Sequence, residues 1–224
     1  MFPYWVLFGY FLAGTIVSRD TVRRADGRQT FNPLLVFGLV LMTVMVGFRF
    51  EVGGDWLAYQ RMFRWSGFID QWSDIVGHDP GDILLNALVK QSGGQIWVVN
   101  LVCAMITVGG LAAMARLQPY PWLKILVAIP YLVIVVAMGY TRQAAALGFV
   151  MFGLASLIRH QSILRYSLWI IAAVLFHKTA ILALPAVAFV VPRWRLLNFF
   201  LLSLAAVGLY FAFLDDQIDR LVKN

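Results

Sequence analysis

The stretch Gly47-Phe48-Arg49-Phe50-Glu51-Val52-Gly53-Gly54-Asp55-Trp56-Leu57-Ala58-Tyr59-Gln60-Arg61-Met62-Phe63 decides how this chain is to be read. It opens as the tail of an apolar run that starts at Pro33 and becomes charged at Arg49 and Glu51. A glycine pair follows, then Asp55, a residue type suited to capping a helix N-terminus. Trp56, Tyr59 and Phe63 recur at i, i+3 and i+7, which puts them on one helix face. A span that ends in a charged, glycine-bearing corner and continues as an amphipathic helix is the pattern of a chain leaving a bilayer and lying along its surface.

Composition agrees. Of 224 residues, 61% are hydrophobic and only 13% are charged, against about 25% charged in a soluble domain. The sequence predicts an all-α integral membrane protein, one membrane domain over 1–224. Its 8 Trp, 8 Tyr and 17 Phe suit interfacial anchors. The formal charge of +7 does not indicate nucleic acid, because the Lys and Arg fall in short loops between apolar runs. Cys103, the single cysteine, lies in an apolar run and reads as a packing residue. The first apolar run has no basic residue before it and Arg19, Arg23, Arg24 and Arg28 after it, the reverse of a cleavable signal peptide.

Apolar runs place spans at about 2–17, 33–48, 96–115, 123–139, 143–158, 166–176, 179–191 and 196–213, about eight in all, two of them short. Alternating sides gathers Arg116, Lys124, Arg159, Arg165, Arg193 and Arg195 with the basic loop 18–30. By the positive-inside rule that side is cytoplasmic, and both termini face outward. The count takes 166–191 as two passes; one kinked helix would invert everything after it. The run 166–176 rises only about 17 Å, so His177 is expected below the outer surface, where irregular backbone must line protein or a wet cavity. The outer segment 49–95 holds a second amphipathic helix. It starts at Asp79 with Pro80 at its first position and ends at Gly93-Gly94, with Asp82, Asn86 and Lys90 on one face. Both helices are expected along the membrane surface, and 214–224 is a polar tail.

Arg142 stands at the outward end of a span and the N-terminus of the next, where free N–H groups and a guanidinium together favour an anion. The alternative is a snorkelling interfacial arginine. Ala144 and Gly148 follow at i+4 spacing, so a neighbouring helix can approach closely. His177 and Lys178 repeat the arrangement at the next inward run, either as chemistry or as a polar turn. Arg49 can bind an anion or pair with Glu51; Asp55 can take a proton from a hydroxyl or simply cap its helix. Trp56 and Tyr59 read as a sugar platform or as interface anchors, and Asp79 and Asp82 as a cap and a surface residue with catalysis as the alternative. There is no P-loop, no dinucleotide turn, no HExxH, no Cys/His zinc set and no serine-nucleophile motif.

Arg49-Phe50-Glu51-Val52-Gly53-Gly54-Asp55-Trp56-Leu57-Ala58-Tyr59, then Asp79-Pro80-Gly81 with Asn86, then Thr141-Arg142-Gln143-Ala144, then Phe176-His177-Lys178-Thr179-Ala180 occur in that order. From Arg49 to Pro185 the chain resembles the EpsG family of exopolysaccharide and O-antigen polymerases (Wzy-type). The resemblance implies a multi-pass protein of the bacterial inner membrane, related to the glycosyltransferases of the C type. Such proteins join undecaprenyl-diphosphate-linked oligosaccharide units at the outer face. On that likeness Arg142 and Arg49, with Lys178 as auxiliary, hold the diphosphate, and His177 or Asp55 takes the acceptor proton. Trp56, Tyr59, Asp79, Asn86 and Gln143 then bind substrate, and neither metal nor other cofactor is called for. The implied partners are the lipid-linked oligosaccharide, membrane lipid, a chain-length regulator and a flippase, and no nucleic acid. Thr179 and Asp79 depart mildly from the family pattern, and the chain is short for it, as a compact member or a fragment would be. An O-antigen ligase-like transferase shares the leaving group. A transporter or a non-catalytic export subunit is the other class; a transporter predicts ionisable residues deep inside spans, and the first five spans carry none near their centres.

Overall fold

The computed structural model describes residues 2–18, 32–66, 79–189, 196–205 and 207–208. The basic loop 18–30 beyond Ser18, the loop 192–195, the end of the last span and the tail 214–224 lie outside the described residues. Those described form helices α1 (Phe2–Val17), α2 (Pro33–Gly47), α3 (Trp56–Trp65), α4 (Pro80–Gln91), α5 (Ile96–Ala115), α6 (Pro121–Ala128), α7 (Thr141–His160) and α8 (Ile163–Phe176). A π-helical stretch, Ile129–Ala137, prolongs α6, a 3₁₀ stretch, Lys178–Phe189, follows α8, and α9 is Leu196–Ala205.

Local chemistry sets the boundaries. Asn32 starts α2 by accepting the Leu34 N–H at 3.0 Å, with Pro33 in the first turn, where a missing N–H costs nothing. Gly93, at φ +78°, closes α4: its N–H reaches Lys90 O at 3.0 Å and the Gly94 N–H reaches Val89 O at 2.8 Å. These paired bonds satisfy carbonyls that a helix end would otherwise leave bare. In α6 the widening into a π-helix begins at Ile129, beside Pro130, which has no N–H to continue the i→i−4 ladder.

Helices α5 and α7 are each 20 residues, long and apolar enough to cross a membrane; at 1.5 Å per residue each rises about 30 Å. They pack on each other through glycines. A Cβ on Gly148 would meet Ile106 O at 2.6 Å, and one on Gly110 would run into the Gly148 backbone. The small residue expected after Arg142 thus serves close approach, with α5 as the neighbour. Against this pair, Leu7, Phe11, Leu35, Met42, Ile125 and Ile129 form the core shared by α1, α2 and α6. Cys103 is buried in a second cluster with Val89, Val99 and Ala145, as its apolar surroundings in sequence suggest.

The segment after Arg165 is a hairpin. Tyr166, near the start of α8, donates its hydroxyl hydrogen bond to the Ala183 carbonyl in the 3₁₀ stretch. A single continuing helix would hold those two residues roughly 25 Å apart. The chain therefore turns back at His177, as the two-pass reading requires. The other apolar helices are shorter than α5 and α7. Outward faces stay apolar along most of these helices, with Trp5, Phe37, Val127, Tyr131, Leu164 and Leu168 exposed, the surface of a protein solvated by hydrocarbon.

Candidate functional site

Five chain corners meet at one end of the bundle: the ends of α2, the π stretch and α8, and the starts of α4 and α7. Two glycines allow it. Gly53, at φ +98°, lies where a Cβ would meet Gly139 Cα and Met138 O, both at 2.8 Å, so the corner after Arg49 rests on the turn before α7. Gly81 lies against Leu175, where a Cβ would meet that residue's Cβ and O at 3.0 Å, so the start of α4 rests on the end of α8.

Arg49 joins the corners from inside. It is only 6% exposed. Its Nη1 donates to Ala137 O at 2.8 Å and more weakly to Val46 O at 3.4 Å. Its Nη2 donates to Thr141 Oγ1 and to Asn100 Oδ1. Val46 lies in the last turn of α2 and Ala137 ends the π stretch, so the cation sits at two negative dipole ends, which offsets part of the cost of burying it. Glu51, the alternative partner, is absent from these contacts and holds a left-handed φ of +51°.

The second arginine faces a carboxylate. Arg142 Nη1 donates to Asp79 Oδ2 at 2.9 Å, with the arginine side chain 33% exposed. The same oxygen lies 3.8 Å from His177 Nδ1, a nitrogen that is buried and has no hydrogen-bond partner. Tyr59 lies beneath the guanidinium, its ring centroid 5.7 Å from Arg142 Cζ. Burial pushes the Tyr59 phenol above its ordinary range, while Arg142 pulls it the other way.

Behind this group stands Asp82, 1% exposed, with Asn86, 3% exposed. Asn86 Nδ2 donates to Asp82 O at 2.7 Å and to Asp82 Oδ2 at 3.2 Å. Burial raises the Asp82 carboxyl to about 7, with Arg142 opposing and Asp79 reinforcing the rise. Lys90, on the same face, reaches the Arg64 carbonyl at the end of α3, a favourable place for a cation.

Several sequence expectations change here. Asp79 and Asp55 occupy the positions before their helices, but neither side chain makes a capping bond. Asp79 turns instead to Arg142, a stronger charge-assisted bond. Asp55, at φ −94° and ψ 7°, lacks the extended backbone that aims a cap at the first N–H groups. Asp82 is not a surface residue; the polar face of α4 points inward and Leu84 and Leu88 point out. Trp56 and Tyr59 are buried rather than displayed as interface anchors, with Trp56 edge-on to Phe50. Gln143 is exposed, and among the described residues neither it nor Lys178 hydrogen-bonds to the Asp79 group. The structure thus brings together Tyr59, Asp79, Asn86, Arg142 and His177, and sets Arg49 behind them. Asp82, read as a surface residue with catalysis as the alternative, lies behind the cluster, and Thr141, quoted only as part of a motif, holds Arg49; Asn100 has no earlier reading, and a polar residue inside the apolar run 96–115 is its sign in the sequence. A depression of about 370 Å³ bordered by Gln118, Pro119, Tyr120, Leu123, Lys124 and Val127 lies elsewhere, at the α5–α6 turn.

A bundle of apolar helices that gathers a cation, two carboxyls, an imidazole and a phenol at one end is a membrane protein with a polar terminal site. Comparison with known families identifies it further: the EpsG family model matches residues 33–224, and the chain belongs to the EpsG family. Membership carries exopolysaccharide-related polymerase chemistry with it, and extends the likeness beyond both ends of the Arg49–Pro185 stretch. No curated protein and no solved structure matches the chain.

Proposed function

We propose that this protein polymerises polyprenyl-diphosphate-linked oligosaccharide units at the outer face of the bacterial inner membrane, crossing it about eight times. The observation that carries the reading is Arg142. In an EpsG-family chain it stands in the first turn of α7, partly exposed, beside an imidazole and over an aromatic ring. The reaction develops negative charge on a departing lipid diphosphate, and a fixed guanidinium at a helix N-terminus stabilises charge there. His177 takes the proton of the acceptor hydroxyl as that oxygen attacks the anomeric carbon. Arg142 neutralises the diphosphate on this reading, so no metal ion is needed for that task. Arg49 supports the reading indirectly, by fixing the turn from which α7 starts. The basic loops set the site end outward, where a flippase would deliver donor and a chain-length regulator would limit the product.

The test is Arg142→Ala in a strain that makes the polymer, with polymer length read on a gel and protein level read by immunoblot. Loss of long chains at normal protein level is expected, roughly 10²-fold or more in rate. Long polymer at normal protein level overturns the diphosphate role. Transfer of single units without chain growth would assign the protein to ligation instead.

A further inference from the structure

One oxygen atom has two claimants. Asp79 Oδ2 is 2.9 Å from Arg142 Nη1 and 3.8 Å from His177 Nδ1. The imidazole nitrogen is buried without a partner, a state that costs free energy unless something relieves it. The carboxylate is about 0.6 Å beyond hydrogen-bond reach of it and bonds to the arginine instead. The helices that carry them are in contact, because Gly81 lets the start of α4 rest on Leu175 at the end of α8. The other charged and titratable groups of this cluster are Asp82 on α4, Tyr59 on α3 and Arg142 on α7, which act on one another, with Lys178 next to the histidine in sequence. The Asp82 side chain hydrogen-bonds with Asn86 on its own helix, so Asp79 is the carboxylate that stands between Arg142 and His177.

We propose that Asp79 is a positioning residue that changes partner: it rests on Arg142 until an anionic diphosphate takes the guanidinium, and then passes to His177 Nδ1. This rests on the reading of the site as a lipid-diphosphate site. A guanidinium binds a diphosphate with two parallel bonds where Asp79 now makes one. Once released, the carboxylate accepts the Nδ1–H and fixes the tautomer whose Nε2 carries the lone pair. The acceptor O–H proton then goes to Nε2 and the oxygen bonds to the anomeric carbon. The bond from that carbon to the diphosphate oxygen breaks, and its electron pair leaves with the lipid diphosphate against Arg142. Asp79 meanwhile stabilises the imidazolium. Donor binding thereby orients the base.

The test uses the full chain in lipid nanodiscs, with undecaprenyl diphosphate lacking sugar as the probe. Asp79→Asn frees Arg142 and is expected to bind the probe about tenfold tighter than wild type. The gain should vanish in the Arg142→Ala background, because the two changes act on one contact. Nitrogen NMR of labelled histidine should show wild-type His177 gaining a hydrogen-bonded Nδ1–H when the probe is added. Asp79→Asn should lose that signature and Asp79→Glu retain it. In turnover, Asp79→Asn should lower kcat without raising KM. Weaker or unchanged binding by Asp79→Asn, or a wild-type histidine spectrum that ignores bound probe, overturns the partner exchange and leaves the diphosphate site standing. A wild-type protein that does not bind the probe at all overturns both.

Discussion

The ring of Tyr59 lies under the guanidinium of Arg142, with 5.7 Å between the ring centroid and Cζ. An arginine held between an aromatic face and a carboxylate keeps its planar fork in one orientation, which a lysine at the same place cannot reproduce. Tyr59→Phe keeps the stacking and should leave polymer synthesis within about threefold of wild type. Tyr59→Ala removes it and should raise the apparent KM for the lipid-linked donor by roughly tenfold, within the range of a desolvated cation–π contact. Steady-state kinetics on purified protein separates the two.

Arg49 and Arg142 should differ in what their loss does. Arg49→Ala strips a buried donor from Ala137 O, Thr141 Oγ1 and Asn100 Oδ1 and should destabilise the fold by about 3 kcal/mol, the cost of breaking a buried charged network. Arg142→Ala removes a side chain that is one-third exposed and should shift stability by less than about 1 kcal/mol while abolishing synthesis. Thermal unfolding in detergent together with polymer yield distinguishes brace from ligand.

Asp82 should make stability depend on pH in the direction opposite to most carboxylates. Its folded pKa is about 7 against a reference of 3.8, so between those values the folded chain holds a proton that the unfolded chain has released. Stability from this group is therefore full near pH 4, falls as pH rises towards about 7, and is flat above. Asp82→Asn should remove that slope. Melting temperatures of both proteins from pH 4 to pH 8 give the comparison, with the wild type losing several degrees more across the window.

The glycine pair should divide. Gly53→Ala forces a Cβ onto Gly139 and Met138 in a left-handed conformation, and should cost about 1–3 kcal/mol and most of the activity. Gly54→Ala meets nothing within 4 Å and should be close to neutral. Expression level and polymer length in the two strains provide the reading.

Much of this arrangement was legible in the chain. Apolar runs located the helices, Asp79-Pro80 and Gly93-Gly94 marked the ends of α4, and the recurrence of arginine and histidine at chain corners pointed to the residues that meet. What escaped has identifiable causes. Periodicity shows that Asp82 and Asn86 share a face of α4 but not which solvent the opposite face meets. In water the leucines would turn inward, and here Leu88 is 65% exposed while Asp82 is buried. Capping preferences place Asp79 at a helix start, yet only the fold brings Arg142, distant in sequence, close enough to outcompete the backbone N–H groups. Arg49 looked like a ligand because nothing local announces that the ends of α2 and of the π stretch converge on it. The π widening followed from Pro130, but one proline does not say whether a helix will kink, break or widen.

Helix α4 carries a consequence for handling the molecule. Leu84 and Leu88 face outward, while Asp82 and Asn86 face in together with Ile83 and Val89, so what lies outside the helix shares in setting its orientation about its own axis. In water the exposed Leu84 and Leu88 would cost free energy that they do not cost in hydrocarbon, loosening the seating of Asp79 at the head of the helix. Hydrocarbon around α4 thus supports the candidate site as a neighbouring helix would, and the geometry around Asp79 is a property of the chain and its solvent together.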